Sequence, residues 1–259
     1  MSQEILNQIN NFLLNNKPKK AIDCCKKEID KFINRDLSKT DKEYLAEIYY
    51  ILSGIYASCG KMKEALHWIN NAILNNPHDE TYYYYRAEMN VEKRDYETAI
   101  QDYTKSIKLN PSSVSYGKRG SAKILAGNYN GAVIDCTKAL KLNPDFGAGY
   151  IERGRAKHKT ENFVGAIKDF SKAIEMFPEF ALPYGLRGDA KIKTGDIEGA
   201  IEDFKKLKQL DPRSEVAKHA LKNISKMQKQ NNENLTTVVS ERNQKRDSLL
   251  GVIKNLIKK

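Results

Sequence analysis

"YGKRGSAK" at residues 116–123, "YIERGRAK" at 150–157 and "YGLRGDAK" at 184–191 are three versions of one phrase, set 34 residues apart. Taken alone, the middle copy lies in "FGAGYIERGRAK" (146–157), which looks like a nucleotide-cradling loop or an arginine-glycine RNA arm. A phosphate-cradling loop must follow a strand and open a helix, because the backbone N–H groups at that turn hold the phosphate. Here the preceding stretch is "CTKALKLNPD" (136–145), a helix-like run closed by a proline. The repetition is the feature to explain.

Prolines stand at 77, 111, 144, 178 and 212, separated by 34, 33, 34 and 34 residues. With each proline as position 32 of a repeat, position 4 is always tyrosine: Tyr49, Tyr83, Tyr116, Tyr150 and Tyr184. Position 8 is small (Ser53, Ala87, Gly120, Gly154, Gly188) and position 20 is always alanine (Ala65, Ala99, Ala132, Ala166, Ala200). Position 24 is bulky or apolar (Ile69, Tyr103, Cys136, Phe170, Phe204). Small residues at 8 and 20 let two antiparallel helices approach, large ones at 4 and 24 fill the space beside them, and the proline stops the second helix. Gly60, Gly127 and Gly195 fall where the chain turns between helices and a left-handed cap is wanted, with Arg94 and Glu161 as weaker stops in two repeats. On this reading Gly154 is a helix-packing residue, and Gly147 and Gly149 begin a helix.

This pattern resembles the tetratricopeptide repeat (TPR) family in five in-register units, 46–79, 80–112, 113–146, 147–180 and 181–214. The resemblance implies an all-α, right-handed superhelical solenoid of stacked antiparallel helix pairs. Residues 2–34 repeat the layout weakly, with Ile5, Ala21 and Cys25 at positions 4, 20 and 24, and read as a degenerate hairpin. Residues 35–45, opening "RDLSKTDKEY", form an insertion, a longer loop or a lengthened helix start. Ala217, Ala220, Leu221 and Ile224 recur at helical spacing and mark 215–230 as a capping helix, followed by a polar linker at 231–237.

A second pattern lies inside the first. Position 7 reads Leu52, Arg86, Arg119, Arg153, Arg187, and position 23 reads Trp68, Asp102, Asp135, Asp169, Asp203. Arginine and aspartate are present together in four repeats and absent together in the first, which predicts a structural Arg–Asp ladder between paired helices. Arginines so committed offer little net charge to phosphate, which disfavours a nucleic-acid partner.

Composition agrees. The chain of 259 residues is 40% apolar and 30% charged, with a net charge of +11. Residues 238–259 carry six basic residues against two acidic ones, and elsewhere the excess is diluted among many acids. The opening "MSQEILNQINNFLLNN" lacks a basic leader region and no stretch approaches the roughly 18 uninterrupted apolar residues that span a bilayer, so a cytoplasmic protein is expected. Cys24, Cys25, Cys59 and Cys136 have no C-x-x-C spacing and read as small buried apolar residues, and the four histidines are scattered. No metal, cofactor or catalytic constellation is expected.

In TPR arrays the first helices line a groove, often through positions 2, 5, 6, 9, 12 and 13. Carried over, that places Tyr50, Ile51, Tyr84, Tyr85 and Glu88 in its N-terminal half. Lys118, Ile124, Arg155, His158, Lys159, Leu186 and Lys193 fall in its C-terminal half. The resemblance thus implies a scaffold or adaptor that grips a protein or peptide partner with apolar anchors and some acid. The carboxylate clamp by which one TPR subset holds chaperone tails is absent, since positions 5 and 9 read Tyr50/Gly54, Tyr84/Glu88, Gly117/Ser121, Ile151/Arg155 and Gly185/Asp189. An RNA-binding helical repeat and a membrane-associated adaptor are the alternatives. The basic segment 238–259 predicts an amphipathic helix with Leu249, Val252, Ile253, Leu256 and Ile257 on one face, suited to self-docking, self-association, a partner or an anionic membrane.

Overall fold

The structure, a computed structural model, describes residues 3–226 and 228–229. The linker 231–237 and the segment 238–259, with its five apolar residues, lie outside the described residues. Among the described residues every regular element is a helix. The chain divides into two compact units, Met1–Asn162 and Phe163–Lys259.

The first unit holds α1 (Gln3–Leu14), α2 (Pro18–Asp30), α3 (Lys39–Ser58), α4 (Met62–Asn75), α5 (Glu80–Glu92), α6 (Tyr96–Leu109), α7 (Ser113–Leu125), α8 (Tyr129–Leu142) and α9 (Gly147–Lys159). The second holds α10 (Phe163–Met176), α11 (Leu182–Thr194), α12 (Ile197–Leu210) and α13, residues 215–226. Short polar side chains start many of these helices. Asp79, Asp95, Ser112, Asn128 and Asp196 each accept a backbone N–H of the first turn, and Ser38 and Asp41 form a reciprocal capping box at α3. Residues 39–45 are the opening turns of α3, which runs to 20 residues.

The chain passes through the left-handed region at Asn16 between α1 and α2 (φ 52°), at Gly60, Arg94, Gly127 and Gly195 between the paired helices that follow (φ 63 to 83°), and at Glu161 just after α9 (φ 61°). Arg94 and Glu161 do so despite carrying a Cβ. The five prolines each stand two residues beyond a helix end, at α4, α6, α8, α10 and α12. The hydroxyls of Tyr83 and Tyr184 donate to the carbonyls of Pro77 and Pro178, 3.3 and 3.0 Å away, so position 4 of one repeat is tied to the proline before it.

The core sits between the paired helices. All five position-20 alanines are fully buried, as are Tyr103, Phe170 and Phe204 at position 24. A Cβ on Gly120 would lie 2.7 Å from Cys136 Sγ, and one on Gly188 would lie 2.9 Å from the Phe204 ring, so backbone there meets side chain with no room between. Ser53 fits at the same position by donating 2.8 Å to the Ala65 carbonyl. All four cysteines are free thiols. Cys25 and Cys136 are core residues, but Cys24 is only half-buried and Cys59 is exposed, because the first lies on an outward turn of α2 and the second follows the end of α3.

Candidate functional site

The first helices of the N-terminal hairpins bring their tyrosines together. The Tyr50 ring of α3 packs on Tyr82 and Tyr85 of α5, with centroids 5.6 and 5.1 Å apart. Tyr85 meets the edge of Tyr84 at 5.4 Å, and Tyr84 meets Tyr103 of α6 at 5.7 Å. These are tilted and edge-on contacts of the kind aromatic quadrupoles favour. Beside them opens a hollow of about 240 Å³ whose walls include Leu13, Tyr50, Ile51, Ile55, Tyr85 and Met89. Tyr85 is 41% exposed and Leu13 39%, so the hollow is lined yet open. Burial, then a hydrogen bond and charge interaction with Tyr85, push the Tyr50 hydroxyl well above the usual phenol range. Burial raises Tyr82 likewise, helped by the carboxylates of Asp79, Glu47 and Glu43. The Tyr50 and Tyr82 phenols are therefore uncharged at neutral pH. Leu13 and Met89 lay outside the positional pattern, and no local sequence signal connects α1 with α5.

Two of the four predicted cations, Lys118 and Arg155, are engaged within the chain. Lys118 of α7 reaches Glu88 of α5 at 2.6 Å, and Glu88 also accepts the Tyr103 hydroxyl. Burial works against the charge on Lys118, but the hydrogen bond and charge of Glu88 outweigh it and the ammonium is held more firmly than usual. Arg155 of α9 donates to both carboxylate oxygens of Glu152 at 3.0 Å. Lys159 is exposed at the end of α9. Lys193 is exposed on α11 of the second unit. Thus Tyr50, Tyr84, Tyr85 and Lys118 share one neighbourhood on α3, α5 and α7. Ile124 is instead core, buried with Ala132 and Ala156.

The position-7 arginines follow a different geometry. Arg86 donates to both oxygens of Asp102 at 2.9 and 2.6 Å, Arg119 to Asp135 at 2.8 and 2.7 Å, and Arg187 to Asp203 at 2.9 and 2.6 Å. Each is a planar two-point pair, and each guanidinium lies 5.5–5.8 Å from its own position-4 tyrosine ring. The remaining nitrogen of each reaches back to position 25 of the preceding repeat: Asn70 at 2.7 Å, Thr104 at 2.9 Å and Ser171 at 2.9 Å. Lys123 and Lys191 add a second cation to Asp135 and Asp203, at 2.8 and 3.0 Å. In the first repeat, Leu52 is buried and Trp68 stacks on Tyr49 at 5.5 Å in place of the pair.

Hairpins of this length, joined in register by small residues at 8 and 20, define a helical-repeat protein. The tetratricopeptide repeat family model matches residues 46–79, 81–113, 114–146 and 182–214, and the chain belongs to that family. Comparison with curated protein sequences gives no significant match. Solved structures with the same fold include a tetratricopeptide repeat protein from Parabacteroides merdae (21% identity, TM-score 0.65, covering 86% of this chain and 98% of that one). PilF of Pseudomonas aeruginosa is similar at 16% identity and TM-score 0.66, over 83% of this chain and 94% of that one. YrrB, described as a TPR protein with an unusual peptide-binding site, is similar at 20% identity and TM-score 0.60, over 68% and 92%. Family and fold support a protein-interaction scaffold. Among the described residues no helix is long and apolar enough to cross a membrane, and no cluster of three His, Cys, Asp or Glu is placed to hold a metal.

Proposed function

We propose that this protein is a non-catalytic scaffold that grips a peptide segment of a partner through the tyrosine slot of α3 and α5. The observation that carries the reading is the open hollow walled by Leu13, Tyr50, Ile51 and Tyr85. Tyrosines held in tilted and edge-on contact give a rigid apolar platform that loses little side-chain entropy on binding, as interface anchors require. The peptide-binding site named for YrrB adds support from a protein of the same fold.

The charges refine the partner. The groove positions carried over from the family imply a partner with some acid, yet Lys118 and Arg155 already hold Glu88 and Glu152. The carboxylates of Asp79, Glu43 and Glu47 act on the buried Tyr82 beside the hollow, and that of Asp79 also on Tyr50. The segment that fits is a bulky apolar side chain flanked by neutral or basic residues. The bidentate commitment of Arg86, Arg119 and Arg187 argues against an RNA-reading stripe.

A random peptide library displayed against the full chain tests this. Enriched peptides should carry an aromatic or aliphatic anchor, be poor in Asp and Glu, and lose at least about tenfold in affinity with Tyr85→Ala. Peptides that bind Tyr85→Ala as well as wild type place the surface elsewhere, and enrichment of acidic peptides reverses the charge assignment.

A further inference from the structure

The second compact unit has an apolar hollow of its own, independent of the tyrosine slot. It holds about 400 Å³; Ile192, Ile197, Val216, Ala220 and Ile224 form its apolar wall, and Asp189, His219, Asn223 and Gln228 add polar groups to the lining. Val216 is 58% exposed there, while Ile224 is buried in the cluster beneath. An exposed valine over a lined apolar hollow is a site for a matching apolar surface.

The chain itself supplies one. Gln228 is part of the wall, so the polypeptide leaves the described residues at the rim of the hollow. Twenty residues further on, Leu249, Val252, Ile253, Leu256 and Ile257 fall at i, i+3, i+4, i+7 and i+8, the spacing of a single helical face. The intervening residues 230–248 reach at most about 65 Å, ample for a return to a hollow at their own starting point. A tether this short gives an effective concentration of about millimolar, so the attached segment outcompetes free copies of itself. The opposite face, with Lys254 and Lys258, is charged and suited to water.

We propose that residues 249–257 dock by this face into the hollow between α11 and α13 of the same molecule. Hydrogen-exchange mass spectrometry on the full chain tests the assignment. Amides of 249–257 should exchange at least about tenfold more slowly than an unprotected peptide, independently of protein concentration. Val216→Lys, a surface substitution, should return them to the unprotected rate and leave α1–α9 unchanged. Ile253→Asp, which leaves residues 3–229 unaltered, should release 249–257 and speed exchange in 215–226 as well. Unprotected exchange in the wild type overturns the proposal, as does protection indifferent to Val216→Lys and Ile253→Asp. Protection that grows with protein concentration assigns the segment to a second copy, and protection that needs anionic vesicles assigns it to a membrane. Each of these results also overturns the proposal.

Discussion

Replacing Arg119 with alanine probes the most buried of the three rungs described above. Asp135 has a side chain 1% exposed and Arg119 one 12% exposed, so both sit in a low-dielectric gap between α7 and α8. Removing one member of such a pair costs about 3–5 kcal/mol, because the other charge is left buried and unpaired. Lys123, 2.8 Å from Asp135, remains and softens the loss. The expected destabilisation is therefore about 2–3 kcal/mol, or a melting temperature lower by about 6–9 °C for a unit of this size. Arg86, 25% exposed, should cost less when replaced. The assay is urea and thermal denaturation followed by circular dichroism, combined with the Arg119→Met, Asp135→Leu double mutant, which should recover most of the loss. A pH series checks the sign. Burial works against the ionised form of Asp135, but hydrogen bonds and charge from Arg119 and Lys123 outweigh it and hold the carboxyl below its usual range. A depressed pKa contributes stability that is present above the unfolded value of about 3.9 and is lost as pH falls through the folded value. The difference between wild type and Arg119→Ala should thus narrow below about pH 4. A loss under about 0.5 kcal/mol at neutral pH, or a gap that persists in acid, would refute the argument.

Gly120→Ala puts a methyl 2.7 Å from Cys136 Sγ and should cost about 1–3 kcal/mol in urea denaturation, with the double mutant Cys136→Ala less damaged than the sum. Arg94→Gly and Glu161→Gly relieve left-handed residues at φ 63 and 61° and should each raise the unfolding free energy in urea denaturation by about 1 kcal/mol; no gain would mean the side chains repay their strain. Ser38→Ala breaks the capping box with Asp41 and should cost about 1 kcal/mol, visible as faster amide exchange in the first turn of α3 but not in α4.

Much of the fold was legible because close helix approach restricts residue size at fixed spacing. Alanine at position 20 and glycine or serine at position 8 are read without structural help, and so are the glycine turns. The ladder was legible for another reason: arginine and aspartate disappear together where Leu52 and Trp68 stand. Its third contact was not, since Asn70, Thr104 and Ser171 share no type and look like ordinary surface residues. The site was less legible still. Lys118 and Glu88 are 30 residues apart, and nothing near either announces that the cation is already neutralised. Leu13 joins the tyrosine slot from α1 through packing that no period encodes. Repeat position alone points Ile124 into the groove, but it is buried in a core cluster with Ala132 and Ala156.

The backward reach of the position-7 arginines gives the ladder a polarity, like a row of plugs and sockets. A hairpin with arginine carries a plug for its predecessor, and a hydroxyl or amide at position 25 is the socket for its successor. The repeat at 46–79 has a socket, Asn70, but Leu52 in place of a plug. The repeat at 181–214 has a plug, Arg187, but its position 25 is Lys205, which cannot accept a hydrogen bond. Shuffling hairpins within the ladder would therefore preserve its joints only where arginine follows an acceptor. Moving either terminal repeat inward would leave a seam without a stitch.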